Sequence, residues 1–133
     1  MAKRLLDCNT SDIVKMDKKQ KLESIVSSEG RVIVSEVIGI FQQVLFNISN
    51  AELASAFGAG ILLLNMLDVY DPIFNGIPKV EREDTIREIK RLTGRLIGIN
   101  LEPVDKDAET MGEIGAISKG RQATADTASK AFE

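Results

Sequence analysis

Apolar and polar positions form successive blocks along this chain, and the blocks predict helices and buried strands in turn. The clearest block covers residues 49–68 and predicts a helix, a glycine turn and a strand. Ser49 and Glu52 have the spacing of a capping box, in which each side chain accepts a backbone hydrogen bond at the start of a helix. Residues 61–64 are four apolar positions in a row, and such a run suits a parallel strand that is covered on both faces.

Two further segments have the composition of strands. Residues 31–38 are rich in β-branched side chains, and residues 95–101 form a second apolar run that ends in polar positions. The three predicted strands are separated by segments with the periodicity of helices. Such alternation predicts an α/β fold with a parallel sheet and right-handed crossovers.

The predicted helices each have an apolar stripe that we expect to face the core. Residues 1–30 form a helical segment in two pieces, and Asp17 with Gln20 fits a capping box for the second piece. A helix is also predicted at residues 81–93 and another from about residue 124 to the end. The positions expected to face inward are Leu22, Ile25, Val26, Leu53, Ala54, Ala56, Phe57, Ile86, Ile89, Leu92, Ala125, Ala128, Ala131 and Phe132.

We interpret the 133 residues as a single domain, with a helical segment at residues 1–30 and three βα units at residues 31–133. The pattern fits a small open doubly wound sheet or part of a (β/α)8 barrel. A full barrel needs about 200 residues or more, and an open three-stranded sheet leaves apolar edges exposed. We therefore expect a partial (β/α)8 barrel that is stable only with a partner chain, a swapped second copy or unusual cover of its sheet edges, and of these we predict a homo-oligomer.

Composition and charge narrow the possible functions. The net charge of −3 and the pI near 5.1 provide no basic stripe, so we expect no nucleic-acid partner. No apolar run approaches the roughly 20 residues of a membrane-spanning helix, so no membrane partner is expected. The lone cysteine, Cys8, excludes an internal disulfide and suggests the cytoplasm. Because histidine is absent, acid–base chemistry would depend on carboxylates, lysines, Tyr70 or Cys8.

Polar side chains lie at or just beyond the end of each predicted strand. Carboxyl ends of parallel strands meet at one edge, where ligands bind in α/β proteins. Glu36 and Glu102 are our candidates for catalysis of a reaction on a small-molecule substrate. Hard oxygen ligands suit Mg²⁺, and the predicted magnesium ligands are Asp68, Glu102 and Asp105; the predicted pocket residues are Asn65, Tyr70 and Asn100. Alternatively, these positions are polar only because strand ends face solvent.

A second candidate binding segment precedes the last predicted helix. Lys119, Gly120 and Arg121 lie just before its start, where free backbone N–H groups favour an anion such as phosphate or carboxylate. The pattern matches neither a P-loop nor a dinucleotide-binding fingerprint. We therefore interpret it as a simple anion site.

Three segments, SEGRVIVSEVIG, SNAELASAFGAGILLLN and RLIGINLEPVD, together with the tail GRQATADTASKAFE, resemble the start of a bacterial barrel family described as phosphoenolpyruvate phosphonomutase-like. The resemblance implies the amino-terminal half of a TIM barrel. It also implies Mg²⁺ held by acidic residues at strand ends, where it stabilises the enolate of an α-keto acid. The expected function is a lyase or mutase acting on a small keto acid or phosphorylated acid, inactive as a fragment. The alternative is a non-catalytic binding or assembly module that oligomerises through exposed sheet edges.

Overall fold

A computed structural model describes residues 3–105 and 117–132, and it contains a parallel sheet with helices before and between its strands. Most of the polar loop expected between Pro103 and Gly120 lies outside the described residues. The strands are β1 (Val34–Ile38), β2 (Ile61–Asn65) and β3 (Leu96–Ile99). The helices are α1 (Thr10–Lys15), α2 (Lys18–Val26), α3 (Asn50–Ala56), α4 (Thr85–Thr93) and α5 (Ala125–Phe132), with 3-10 turns at Leu5–Asp7, Arg82–Asp84 and Lys119–Arg121.

The three strands lie side by side in chain order, with β2 in the centre. Both pairings are parallel, and the register sets Leu63 beside Glu36 on one side and Gly98 on the other. The two crossover helices, α3 and α4, lie on the same face of the sheet, as expected when crossovers of one handedness advance in the same direction. These two helices contact each other. The predicted α/β fold with a parallel sheet is therefore confirmed.

The main core lies between this sheet and its two crossover helices. Leu62 and Leu64 of β2 are fully buried, and they pack with Ala51 of α3 and Ile89 of α4. The inward position predicted for Ile89 is therefore confirmed. Because side chains alternate along a strand, Leu62 and Leu64 define the helix-covered face of the sheet.

Two predicted capping boxes start their helices as expected. The Ser49 hydroxyl accepts the N–H of Glu52 at 3.2 Å, and the Glu52 carboxylate accepts the N–H of Ser49 at 2.9 Å. The same reciprocal pair joins Asp17 and Gln20 at 2.8 and 2.9 Å. Each box satisfies backbone donors that a first helical turn leaves without a partner.

Among the described residues, a second core covers the amino end of the opposite face of the sheet. There, Leu5 and Ile13 of the amino-terminal segment pack against Val32, Ile61 and Leu96. Towards the carboxyl end this face carries polar side chains, and Glu36 is exposed there. The second core therefore closes the amino end of this face.

Several side chains predicted to face inward are exposed instead. Leu22 and Val26 of α2 are 63% and 68% exposed, whereas Ser24 and Ser28 are buried. The reason is that residues 3–5, at the amino end of the chain, lie directly on these serines. The Ser24 hydroxyl donates to the carbonyl of Lys3 at 2.7 Å. A small polar side chain allows the two backbones to approach more closely than a leucine would.

The same correction applies to α5 and to the end of α3. Phe57 and Phe132 are 83% and 78% exposed. The buried position of α5 is Thr127, whose backbone N–H is capped by the Thr124 hydroxyl at 3.2 Å. Among the described residues, no helix is long and apolar enough to cross a membrane.

Candidate functional site

Four polar side chains form a hydrogen-bonded row across the carboxyl ends of the three strands. The Asn65 amide donates to Glu36 Oε1 at 2.9 Å. The Asn100 amide donates to Asn65 Oδ1 at 3.1 Å and to Glu102 Oε1 at 3.0 Å. We call Glu36, Asn65, Asn100 and Glu102 the polar row. The sequence predicted that Glu36, Asn65, Asp68, Glu102 and Asp105 would converge at this edge. In the structure, Glu36, Asn65 and Glu102 are linked through Asn100, and neither Asp68 nor Asp105 is part of the row.

The polar row lies on the face of the sheet opposite α3 and α4. Glu36 is paired with Leu63, which alternates with the two buried leucines of the helix-covered face. Asn65 is two residues beyond Leu63 and therefore points to the same side. The row is thus separated from the helices by the sheet itself.

The chain turns sharply immediately after Asn65, the residue of the polar row that ends β2. Met66 has a φ of +56°, which is rare for a residue with a side chain, and its N–H donates to Asn65 Oδ1 at 2.7 Å. This turn takes the backbone out of the sheet at the end of β2. Uncommon backbone conformations of this kind are frequent at functional sites.

The segment around Arg121 lies beside the chain that follows β3, in the position that β2 would occupy if it continued. The N–H of Asn100 donates to the carbonyl of Leu64 in β2 at 2.9 Å. Two residues further on, the N–H of Glu102 donates to the carbonyl of Arg121 at 2.7 Å, and the N–H of Ala123 donates back to Glu102 at 2.8 Å. Because N–H groups two residues apart in a strand point to the same side, Arg121 lies above the end of β2, beside the polar row.

The guanidinium of Arg121 has a hydrogen-bond donor for which the described residues provide no acceptor. Its Nη2 is 3.9 Å from Glu102 Oε1, and its side chain is 22% exposed. Its Nε is buried and has no hydrogen-bond partner in the described part of the chain. Buried donors are nearly always hydrogen-bonded to protein or to ordered water, so this donor calls for an acceptor beyond residues 3–105 and 117–132. A guanidinium fork matches the geometry of a carboxylate or a phosphate.

Asp68 binds the segment that carries this arginine. Its carboxylate accepts the backbone N–H of Tyr70 at 2.9 Å, and Gly120 lies directly against it. Burial alone would raise the pKa of Asp68, but hydrogen bonding by the Ser118 side chain and by the backbone of Tyr70, Asp71 and Gly120 outweighs it and holds the pKa below its ordinary value of 3.8. The carboxylate is therefore ionised at neutral pH.

The predicted magnesium ligands do not come together in the structure. Within residues 3–105 and 117–132, no group of three or more His, Cys, Asp and Glu side chains is arranged to hold a metal ion. Asp68 is bonded to the turn at residues 118–121, and Glu102 lies in the polar row. Magnesium binding therefore stays a prediction of the sequence.

The predicted anion segment is a 3-10 turn that ends before α5 begins at Ala125. Its Gly120 lies directly against the carboxylate of Asp68, which occupies the space beside this glycine. The segment instead provides the side chain of Arg121. Tyr70 is 53% exposed and lines a separate cavity with Arg82 and Ile86.

Comparison with known proteins assigns a family. The family model for a domain of unknown function, DUF7916, matches residues 6–133. The chain belongs to the DUF7916 family. The DUF7916 match includes all three strands and the whole polar row. No curated protein and no solved structure matches the chain.

Proposed function

We propose that the carboxyl edge of this sheet binds a small carboxylic or phosphorylated acid and moves a proton on it, as part of a phosphonomutase-like (β/α)8 barrel. The position of the polar row supports this proposal, because it lies on the face opposite the crossover helices. In barrels that face is the interior, and its carboxyl end carries the active site. The amino-terminal segment covers the other end of the same face.

The observation that carries the proposal is the buried Nε of Arg121, which has no hydrogen-bond partner among residues 3–105 and 117–132. In this proposal the guanidinium binds the carboxylate or phosphate of the acid through two parallel N–H groups. The binding is favourable because the buried donor gains the acceptor that it lacks. The acid then lies directly beside Glu102, whose Oε1 is 3.9 Å from Nη2 of the same guanidinium.

The two carboxylates of the polar row provide the acid–base chemistry. Glu102 accepts the proton of the C–H bond next to the keto group, and the electron pair of that bond becomes the enolate. The positive charge of Arg121 stabilises this negative charge as it develops. Asn65 and Asn100 each donate to a carboxylate, and so they orient Glu36 and Glu102. A full barrel supplies further strands, so we expect binding without turnover from these 133 residues.

Replacing Arg121 with glutamine tests this proposal. We expect the variant to bind phosphoenolpyruvate or oxalate at least tenfold more weakly than the wild type, which is about 1.4 kcal/mol. The measurement is isothermal titration calorimetry at neutral pH. Arg87→Gln is the matched control, because Arg87 is an exposed arginine of α4 and is paired with Asp84. Equal affinity of the wild type and Arg121→Gln would contradict the proposal, as would a wild type that binds neither acid.

A second candidate function is assembly, and the outer edge of β1 favours it. In the described part of the chain, β1 pairs only with β2. Beside this edge, Val34 is 53% exposed, Val44 75% and Phe57 83%. Large exposed apolar patches mark interaction sites, and an unpaired strand edge is a template for another strand. A second copy of this chain would cover this surface in a homo-oligomer.

Val34→Lys distinguishes assembly from a free monomer. A charged side chain on an edge strand opposes pairing with another strand. If the wild type is an oligomer through this edge, sedimentation velocity should show the variant as a monomer at the same concentration. Leu22→Lys is the control, because Leu22 is a similarly exposed apolar residue on α2. A wild type that sediments as a monomer would contradict the assembly function.

A further inference from the structure

We infer that Asp68 is a positioning residue for Arg121: it binds the turn at residues 118–121 to the loop after β2 and so sets the guanidinium beside the polar row. This inference rests on the proposed function, because it concerns the same anion-binding arginine. It gives Asp68 a role that involves no contact with the bound acid. The contacts that position Arg121 are made by Gly120, the residue before it.

Gly120 is held by the loop after β2. Its carbonyl accepts the N–H of Val69 at 3.1 Å, and its Cα lies directly against the carboxylate of Asp68. The backbone of Gly120 and the side chain of Ser118 also contribute to the lowered pKa of that carboxyl. The loop after β2 therefore binds the turn at several points, all within one residue of Asp68.

The contact between Asp68 and residue 120 requires glycine. A Cβ atom at position 120 would lie 1.7 Å from Asp68 Oδ1 and 2.4 Å from its Cγ. Gly120 is buried, and its φ is not among the positive values of the chain. The glycine is thus needed for the close approach of the carboxylate and not for an unusual backbone conformation.

On its other side, the same turn is bound to the end of β3. The carbonyl of Arg121 accepts the N–H of Glu102 at 2.7 Å. Asp68 holds one side of the turn and Glu102 holds the other, so the backbone of Arg121 is fixed between the ends of two strands. The guanidinium needs this support, since a displacement of about 1 Å at a binding group lowers activity strongly.

A double-mutant cycle tests the inference. Asp68→Ala and Gly120→Ala should each lower the affinity for phosphoenolpyruvate about tenfold. The double variant should bind no more weakly than Asp68→Ala alone, because alanine at position 120 meets no carboxylate there. If the two substitutions contact each other directly, their effects on the binding free energy are not additive. Asp126→Ala is the control, because Asp126 is an exposed aspartate of α5.

A second readout does not need the acid. In the ¹H–¹⁵N spectrum, the Nε–H resonance of Arg121 should exchange slowly in the wild type, since this atom is buried. In Asp68→Ala it should shift towards the resonances of exposed arginines, while thermal unfolding shows that the variant is folded. An unchanged resonance would overturn the inference, even if the wild type binds no acid.

The two proposals fail in different ways. If Asp68→Ala binds phosphoenolpyruvate like the wild type while Arg121→Gln does not, the positioning role is wrong and the proposed function stands. If the losses from Asp68→Ala and Gly120→Ala simply add in the double variant, the direct contact is not what positions Arg121, and the inference is also overturned.

Discussion

Leu64→Ala is expected to lower the free energy of unfolding by about 3 kcal/mol. Leu64 is in the central strand, has no exposed surface and packs in the core formed with α3 and α4. Truncation removes buried methyl groups and leaves a cavity that a closely packed sheet and two helices cannot easily fill. Urea denaturation followed by circular dichroism measures the change.

Leu22→Ala is the matched control for this prediction. It removes the same atoms from a leucine that is 63% exposed, so it should change the free energy of unfolding by less than about 0.5 kcal/mol. Similar losses in the two variants would mean that Leu22 is buried as the sequence pattern predicted, and that our description of α2 is wrong.

Gly94→Ala is expected to cost about 3 kcal/mol for two additive reasons. Gly94 ends α4 with a φ of +60°, where a side chain costs about 1–2 kcal/mol. A Cβ there would also lie 2.0 Å from Cγ2 of Thr10 in α1, and overpacking adds about 1–3 kcal/mol. The change is measured as a loss of thermal and urea stability.

Gly30→Ala separates the two causes. Gly30 has a φ of +75°, but a Cβ there would meet no atom within 4 Å. It should therefore show only the conformational cost, and Gly94→Ala should lose distinctly more. If both variants lose the same stability, the contact between Thr10 and the end of α4 is not as close as we describe.

The features that the sequence predicted well are those set by neighbours in the chain. The capping boxes at Ser49 and Asp17 depend on side chains three residues apart, and both are confirmed. The order of strands and helices depends on local apolar runs. Convergence of polar side chains was predicted because residues after parallel strands must meet at one edge, and Glu36 and Asn65 do meet there. Asp68 was expected at the same point, but it lies against Gly120 instead.

The features that could not be predicted depend on contacts between distant segments. The buried side of α2 is set by Ser24 and Ser28, because the residues around Leu5 lie on them, with the N–H of Leu5 donating to Ser28 at 3.0 Å. Periodicity favours apolar stripes and gives no weight to small polar residues that allow close approach.

The position of Arg121 in the site could not be predicted for the same reason. Arg121 reaches the polar row only because Met66 turns the chain away from the sheet and Asp68 binds Gly120. Nothing in the spacing of these residues indicates that they meet. The one local signal is the glycine before Arg121, which indicates a close approach of some other group without saying which.

In the function that we propose, Arg121 and the polar row bind one small acid together. The most direct test is a ¹H–¹⁵N titration of the full chain with phosphoenolpyruvate, following the Arg121 Nε–H and the side-chain amides of Asn65 and Asn100. We predict that all three resonances shift along one binding curve, while the amide of the exposed Asn47 does not move. Shifts confined to surface residues, or no shift at millimolar acid, would contradict the account.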